Sequence, residues 1–440
     1  MVAKVLLNRF LIIAAAVMNM GLAFPFSVHE KRLPNGLQVV VIDYDSPGLV
    51  AYYTVVRAGS RNEVEPGKSG FAHFFEHMMF RGTDRYSEKA YNDVLTAMGA
   101  DSNAYTSDDL TVYHTLAGKA ALPKLVEIEA DRFQHLKYST ADFQKEARAV
   151  LGEYNKSASD PLEKMTELLY ENAFSVHTYQ HTTMGFLKDI ETMPAQFSYS
   201  LQFFDRYYRP DKATVLVAGD VRADEVFALC EKEYGAWKPG PAPPPVPAEP
   251  PQTKERRAAL SWSGPTLPAL MMGFHVPAFS TTSVDLPALD VLAELLFAER
   301  APLYKRLVIT EQTVESLAGS ADRHVDPNLF TILARVKKAK DLPAVETAIT
   351  DEIARIAREG VDERTLHLVV SHIQYAFAAR LATADRAANT AAEFLALTGR
   401  VSSINDSFAL LGRVTSDDVR RVARAYFLPA NRTVVVLDTK

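Results

Sequence analysis

Gly70-Phe71-Ala72-His73-Phe74-Phe75-Glu76-His77-Met78-Met79-Phe80 is the stretch on which the reading of this chain turns. On a helix, at about 100° per residue, His73 and His77 fall roughly 40° apart and Glu76 lies on the same side. Both imidazoles can then grip one divalent cation, with the carboxylate in reach of a water beside it. Phe71, Phe74, Phe75, Met78, Met79 and Phe80 make the segment apolar nearly all round, so it belongs in a core. Three ionisable groups buried there are costly unless compensated, and a metal is the simplest compensation.

The whole chain has 440 residues, too many for one ordinary core, which points to two domains or more. With 48% hydrophobic, 10% aromatic and 23% charged residues the composition is that of a globular protein. A net charge of −6 argues against a nucleic acid or an anionic membrane surface as partner. Residues 1–23 read as an export signal: Lys4 and Arg9 precede the apolar run from Phe10 to Met18, and Gly21-Leu22-Ala23 is a small-x-small cleavage pattern. A periplasmic location follows. The alternative is an uncleaved membrane anchor, but Asn19, Gly21 and Pro25 interrupt the run before the ~20 residues of a spanning helix, so stable membrane insertion is not expected. Cys230 is the only cysteine, which excludes an internal disulfide framework and a multi-thiolate metal site.

Outward from the histidine helix, β-branched and aromatic runs at 37–42 and 50–56 read as neighbouring strands. A helix follows from Ser87 to Gly99, then a turn-connected strand pair at 101–106 and 110–115 whose first member, small and polar, suits an exposed edge. Helical periodicity marks 123–134, 140–156, 160–174 and 194–208, before a buried strand at 213–220. The run Pro239-Gly240-Pro241-Ala242-Pro243-Pro244-Pro245-Val246-Pro247 stops regular structure and acts as a semi-rigid spacer. Beyond it the grammar repeats: strand 269–274, helix 284–297, strand pair 313–320 and 329–336, helices 342–359 and 362–382, helix 416–426 and strand 433–437. Both halves end as helix, Tyr-x-x-Pro and strand, at Tyr207 to Pro210 and Tyr426 to Pro429, so internal duplication is the economical explanation. The expected fold class is α+β, two homologous halves, each a mostly antiparallel β-sheet with helices packed on one face. The boundaries are 24–237 for the metal-binding half, 238–257 for the linker and 258–440 for a half whose matching helix, Leu292-Ala293-Glu294-Leu295-Leu296-Phe297, has no histidine.

The order H-x-x-E-H reverses the commoner H-E-x-x-H and is the inverzincin signature. A later helix carries Glu146 and Glu153 one heptad apart, and with Asn35-Gly36-Leu37, Gly70-Phe71-Ala72-His73, Ser102-Asn103-Ala104-Tyr105-Thr106 and Glu129-x-Asp131-Arg132 the chain resembles the insulinase/pitrilysin-type zinc peptidases in their short two-domain form. The resemblance is strong to about residue 220 and mainly architectural beyond. It implies that His73, His77 and Glu153 ligate Zn2+, one per chain, that Glu76 activates water for attack on a peptide carbonyl, and that Glu146 orients a ligand from behind. It also implies that Asn103, Ala104 and Tyr105 form an edge strand on which a substrate peptide lies as an added strand.

The second half departs from the family pattern. Where self-sufficient relatives carry an arginine and, seven residues later, a tyrosine, this chain has Val308 and Glu315. The resemblance therefore implies a zinc metalloendopeptidase acting on peptides or unfolded segments as the catalytic subunit of a heterodimer, its homologous partner supplying the arginine and tyrosine. The rival reading is a non-catalytic assembly or binding subunit of the same fold. The intact set of His73, Glu76, His77 and Glu153 speaks against it, because a subunit freed from catalysis has no physical need to bury those groups together. A third possibility is another hydrolase built on the same metal site.

Overall fold

The computed structural model describes residues 24–439, so the expected export signal at 1–23 lies outside the described residues. The first half builds a six-stranded sheet from β1 (Val28–Arg32), β2 (Gln38–Asp43), β3 (Leu49–Val56), β4 (Asp101–Thr106), β5 (Thr111–Gly118) and β6 (Ala213–Gly219), in the order β1-β2-β6-β3-β5-β4. Only β2 and β6 run parallel; the other neighbours are antiparallel. Its helices are α1 (Phe71–Met78), α2 (Glu88–Ala97), α3 (Leu122–His135), α4 (Thr140–Ser157), α5 (Pro161–Ala173), α6 (Leu187–Thr192), α7 (Phe197–Tyr207) and α8 (Ala223–Tyr234). Strand side chains alternate, so Val39, Val41, Tyr52, Val56, Val215 and Val217 share one face. Phe71, Phe74, Phe75, Leu125, Phe143 and Phe203 bury that face.

The second half contains β7 (Arg256–Trp262), β8 (Ala269–Val276), α9 (Asp285–Phe297), β9 (Val314–Ala321), β10 (Asn328–Val336), α10 (Leu342–Glu359), α11 (Glu363–Ala379), α12 (Ala384–Thr398), α13 (Ser403–Leu411), α14 (Ser416–Tyr426) and β11 (Arg432–Thr439). Its sheet, β7-β11-β8-β10-β9, again has one parallel pair, β7 with β11, followed by antiparallel neighbours. The duplication therefore holds strand for strand from β2 onward, with β1 as an addition to the first half. Helix α9 follows β8 as α1 follows β3, and its inward residues Leu289, Leu292 and Leu296 are wholly apolar.

Each sheet has a second face, and the opposite half covers it. Ala384, Ala387, Ala388, Ala391, Ala392 and Leu395 of α12 lie on Val40, Ile42, Ala51, Tyr53, Val55 and Leu216 of the first sheet. Small side chains let this helix approach the strands closely. In return Met165, Leu169 and Ala173 of α5 lie on Met271, Leu329, Val435 and Leu437 of the second sheet. This reciprocal loan of a helix ties the halves into one packed body. Residues 237–255, which include the proline-rich run, carry no helix or strand. They do not swing free: the Glu249 carboxylate accepts hydrogen bonds from the N–H groups of Ser175, Val176 and His177 and from the Ser175 hydroxyl, all between 2.7 and 2.9 Å.

Several elements were not foreseen from the sequence. Strands β1 and β7 alternate polar and apolar residues too weakly to stand out, and α12 is rich in alanine and lacks a stripe of large apolar side chains. Helices α6, α8 and α13 were also missed. The span 194–208 opens with a 3-10 turn at Met193–Ala195 before α7 begins, and Lys305–Thr310 forms a π turn. Among the described residues no helix is long and apolar enough to cross a membrane.

Candidate metal centre

The histidine helix is fixed at both ends. Gly70 precedes α1 with φ +91°, a left-handed conformation suited to glycine, and a Cβ there would stand 2.9 Å from the Met184 carbonyl oxygen. The Glu63 carboxylate accepts from the N–H of Gly70 at 2.7 Å and of Ala72 at 2.6 Å, doing the work of a capping side chain at the electropositive helix start. Glu63 is fully buried, and desolvation pushes its carboxyl up to about 8. Asp189 accepts from the Ser69 N–H and hydroxyl just before the helix. At the other end the Tyr113 hydroxyl donates to the Phe75 carbonyl at 2.9 Å.

Held this way, α1 brings His73 Nε2 and His77 Nε2 to 3.2 Å, and α4 brings Glu153 Oε2 to 3.5 and 3.4 Å from them. These three side chains are the one group of candidate metal donors among the described residues. A tetrahedral zinc with bonds of about 2.0–2.2 Å requires donor separations of about 3.3–3.6 Å, and the 3.2, 3.4 and 3.5 Å found here match to within about 0.1 Å, so the donor set fits that ion. The outer side of each ring adds to the case. His77 Nδ1 lies 2.9 Å from Glu146 Oε1, and the other oxygen of this buried carboxylate meets Arg81, which also bonds Glu88 at 2.9 Å. If His77 Nδ1 bears the hydrogen given to Glu146, the lone pair of Nε2 faces His73. His73 Nδ1 is buried with no hydrogen-bond partner among the described residues, so no acceptor among them fixes its tautomer. Burial and the nearby His77 push His73 down to about 4. His77 is shifted up: burial opposes its charge, but the Glu146 hydrogen bond and the charges of Glu153 and Glu76 outweigh it.

Glu76, on the same face, is raised by burial and hydrogen-bonded by Thr106, whose hydroxyl donates to Oε2 at 2.7 Å. Thr106 ends β4, which is the edge of the first sheet. The hairpin closes with Ser107 N–H on the Leu110 carbonyl, so by antiparallel alternation the backbone of Ser102, Ala104 and Thr106 points away from β5. Ala104 N–H is met only locally, by Asn103 Oδ1 at 2.9 Å. Tyr105 belongs to the opposite face, where its hydroxyl donates to Asn389 of α12 at 2.9 Å. The structure thus brings His73, Glu76, His77, Glu146 and Glu153 together and sets the free backbone edge of β4 beside them.

Sequence reasoning did not assign roles to Thr106, Arg81 or Glu63. Thr106 stood inside a quoted motif, but nothing in the spacing tied it to Glu76. In the second half Val308 lies in the π turn, partly buried against the core, and Glu315 is the second residue of the edge strand β9, 3.4 Å from Arg335.

A duplicated α+β chain with an H-x-x-E-H helix in one half only is a defined architecture, and two family models match it. The insulinase (peptidase family M16) model matches residues 39–186 and the peptidase M16 inactive-domain model matches residues 200–371. The chain belongs to the insulinase family, peptidase family M16. It is 27% identical to the zinc protease PqqE of Helicobacter pylori over 93% of this chain and 92% of that protein. It is 31% identical to the probable mitochondrial-processing peptidase subunit beta of Schizosaccharomyces pombe, over 47% of this chain and 45% of that one. Among solved structures, a protease from Helicobacter pylori superposes with a TM-score of 0.88 at 27% identity, covering 94% of this chain and all of that one.

Proposed function

We propose that this chain is a zinc-dependent endopeptidase whose metal is held by His73, His77 and Glu153 and whose general base is Glu76. The observation that carries the reading is the 3.2 to 3.5 Å triangle of donor atoms with Glu76 on the same helix face. A zinc ion bound there would supply Lewis-acid activation of water and of the scissile carbonyl. The chain's own groups do the rest. Glu76 takes the proton of the attacking water and returns it to the leaving amine, and burial on the helix face raises its carboxyl above the ordinary range. The outward N–H and C=O of Ala104 pair with an extended peptide, so recognition reads backbone more than side chains. Glu146 and Arg81 hold His77 in place from behind.

This reading predicts broad action on peptides and unfolded segments, and similarity to the zinc protease PqqE supports it. Export and a periplasmic site of action belong to the same proposal, as does pairing with a homologous subunit, which the likeness to a subunit named beta supports. The test combines metal analysis with a fluorogenic peptide assay of the wild type, Glu76→Gln and His77→Ala. Glu76→Gln is expected to keep its zinc and lose about 10²–10⁴-fold in turnover, while His77→Ala loses both. Unchanged cleavage by Glu76→Gln would remove the assigned base.

A further inference from the structure

The half that lacks the H-x-x-E-H motif reaches into the metal-bearing half at the turn that follows Thr106. Asp109, in the β4–β5 turn, is almost fully buried. Its carboxylate receives Tyr179 hydroxyl at 2.8 Å, His324 Nδ1 at 3.0 Å and the Val325 N–H at 3.2 Å. His324 and Val325 belong to the β9–β10 loop of the second half. Next to them Asp326 accepts from Arg61 Nε at 2.5 Å and lies 2.9 Å from His177 Nε2, and Arg61 N–H in turn holds the Asp108 carbonyl at 2.8 Å. The turn from Ser107 to Leu110 is thereby gripped from both halves, and Thr106, the residue before it, carries the hydroxyl that binds Glu76.

We propose that His324 is a positioning residue for the catalytic base: the second half clamps the β4–β5 turn through Asp109 and so holds Thr106, and with it the free edge of β4, in register with Glu76. The inference rests on the peptidase reading for its kinetic consequence, though not for the clamp itself. A clamp of this kind gives the half without the H-x-x-E-H motif a part in the chemistry beyond covering the first sheet.

The experiment compares wild type with His324→Leu, which removes the donor, and His324→Asn, whose amide nitrogen stands near the place of Nδ1. His324→Ser replaces the leucine variant if that one does not fold. Hydrogen–deuterium exchange is followed in residues 104–110, together with zinc content and steady-state cleavage of a fluorogenic peptide. The expected result is faster exchange in that segment, full zinc and a kcat lower by about 10- to 100-fold in His324→Leu, since small misplacements of reacting groups cost that much. KM is expected to change far less, and His324→Asn to recover most of the loss. In a Thr106→Val background the His324→Leu change is expected to cost little further, because both act on the same contact. Unchanged exchange at 104–110 overturns the clamp whatever the activity. Fully multiplicative losses in the double variant overturn the route through Thr106. A wild type that cleaves no peptide alone or with a partner sinks the peptidase reading instead, while the exchange result still decides the clamp.

Discussion

His77 Nδ1 and Glu146 Oε1 stand 2.9 Å apart, and the second oxygen of the same carboxylate is engaged by Arg81. On the proposed reading of His77 as a metal ligand, this arrangement sets its ring plane and tautomer before any metal arrives. Glu146 itself is shifted down: burial alone would raise it, but the His77 hydrogen bond and the Arg81 charge prevail. Glu146→Ala is expected to weaken zinc binding by about 10- to 100-fold, read by competition with a chelating dye. Affinity equal to that of the wild type would show that packing alone orients His77.

The candidate site was legible because its members sit on regular helices. His73, Glu76 and His77 repeat at helical spacing, and Glu146 and Glu153 repeat one heptad apart, so each set shares a face before any tertiary contact is known. The duplicated sheet was legible through its β-branched runs and the matching Tyr-x-x-Pro endings. What escaped depends on long-range encounters. Asp109 and His324 are 215 positions apart in the chain, as Arg61 and Asp326 are 265 apart, and no local pattern announces either pair. The alanine face of α12 escaped for another reason. Side chains that small carry little hydrophobic contrast, although they are what lets the helix lie flat on a sheet from the other half.

The edge strand yields a test that leaves the metal alone. Ala104 N–H faces away from β5 and is met only by the adjacent Asn103 side chain, so removing it breaks no ladder bond. Ala104→Pro is expected to keep zinc and stability close to wild type while raising KM severalfold or abolishing cleavage, because proline cannot donate to a substrate carbonyl. Normal peptide kinetics in this variant would mean that substrate does not pair with β4 at that position.

Asp326 gives the contact between the halves a signature in acid. The His177 hydrogen bond, with help from Arg61 and against the effect of burial, holds its carboxyl down at about 2. Because the folded value lies below the unfolded one, its stabilisation is present above about pH 4 and is lost as pH falls from about 4 toward 2. Wild type is expected to exceed Asp326→Asn in unfolding free energy by about 1–2 kcal/mol at pH 6, an amount discounted for partial exposure. Urea unfolding at stepped pH should show the gap closing over that acid window. A gap independent of pH would assign the loss to packing rather than to charge.

The last prediction concerns what this chain does alone. Val308 lies in the π turn at Lys305–Thr310, and Gln312, a little further on, takes the left-handed value φ 53°. Glu315 follows on β9, where Arg335 on the neighbouring strand stands 3.4 Å away and partly offsets its charge. Neither position offers a donor to an oxyanion, and a carboxylate brought near a developing negative charge opposes the reaction. Loss of one such donor typically costs on the order of a hundredfold or more in rate, so the isolated chain is expected to be feeble. Adding a homologous subunit that carries the arginine and tyrosine should restore cleavage of a fluorogenic peptide in step with a doubled mass by light scattering. The same logic predicts that Val308→Arg combined with Glu315→Tyr raises the activity of this chain when it is assayed without a partner. Full activity from the unmodified chain, indifferent to any added subunit, would mean that other residues here already supply the missing donors.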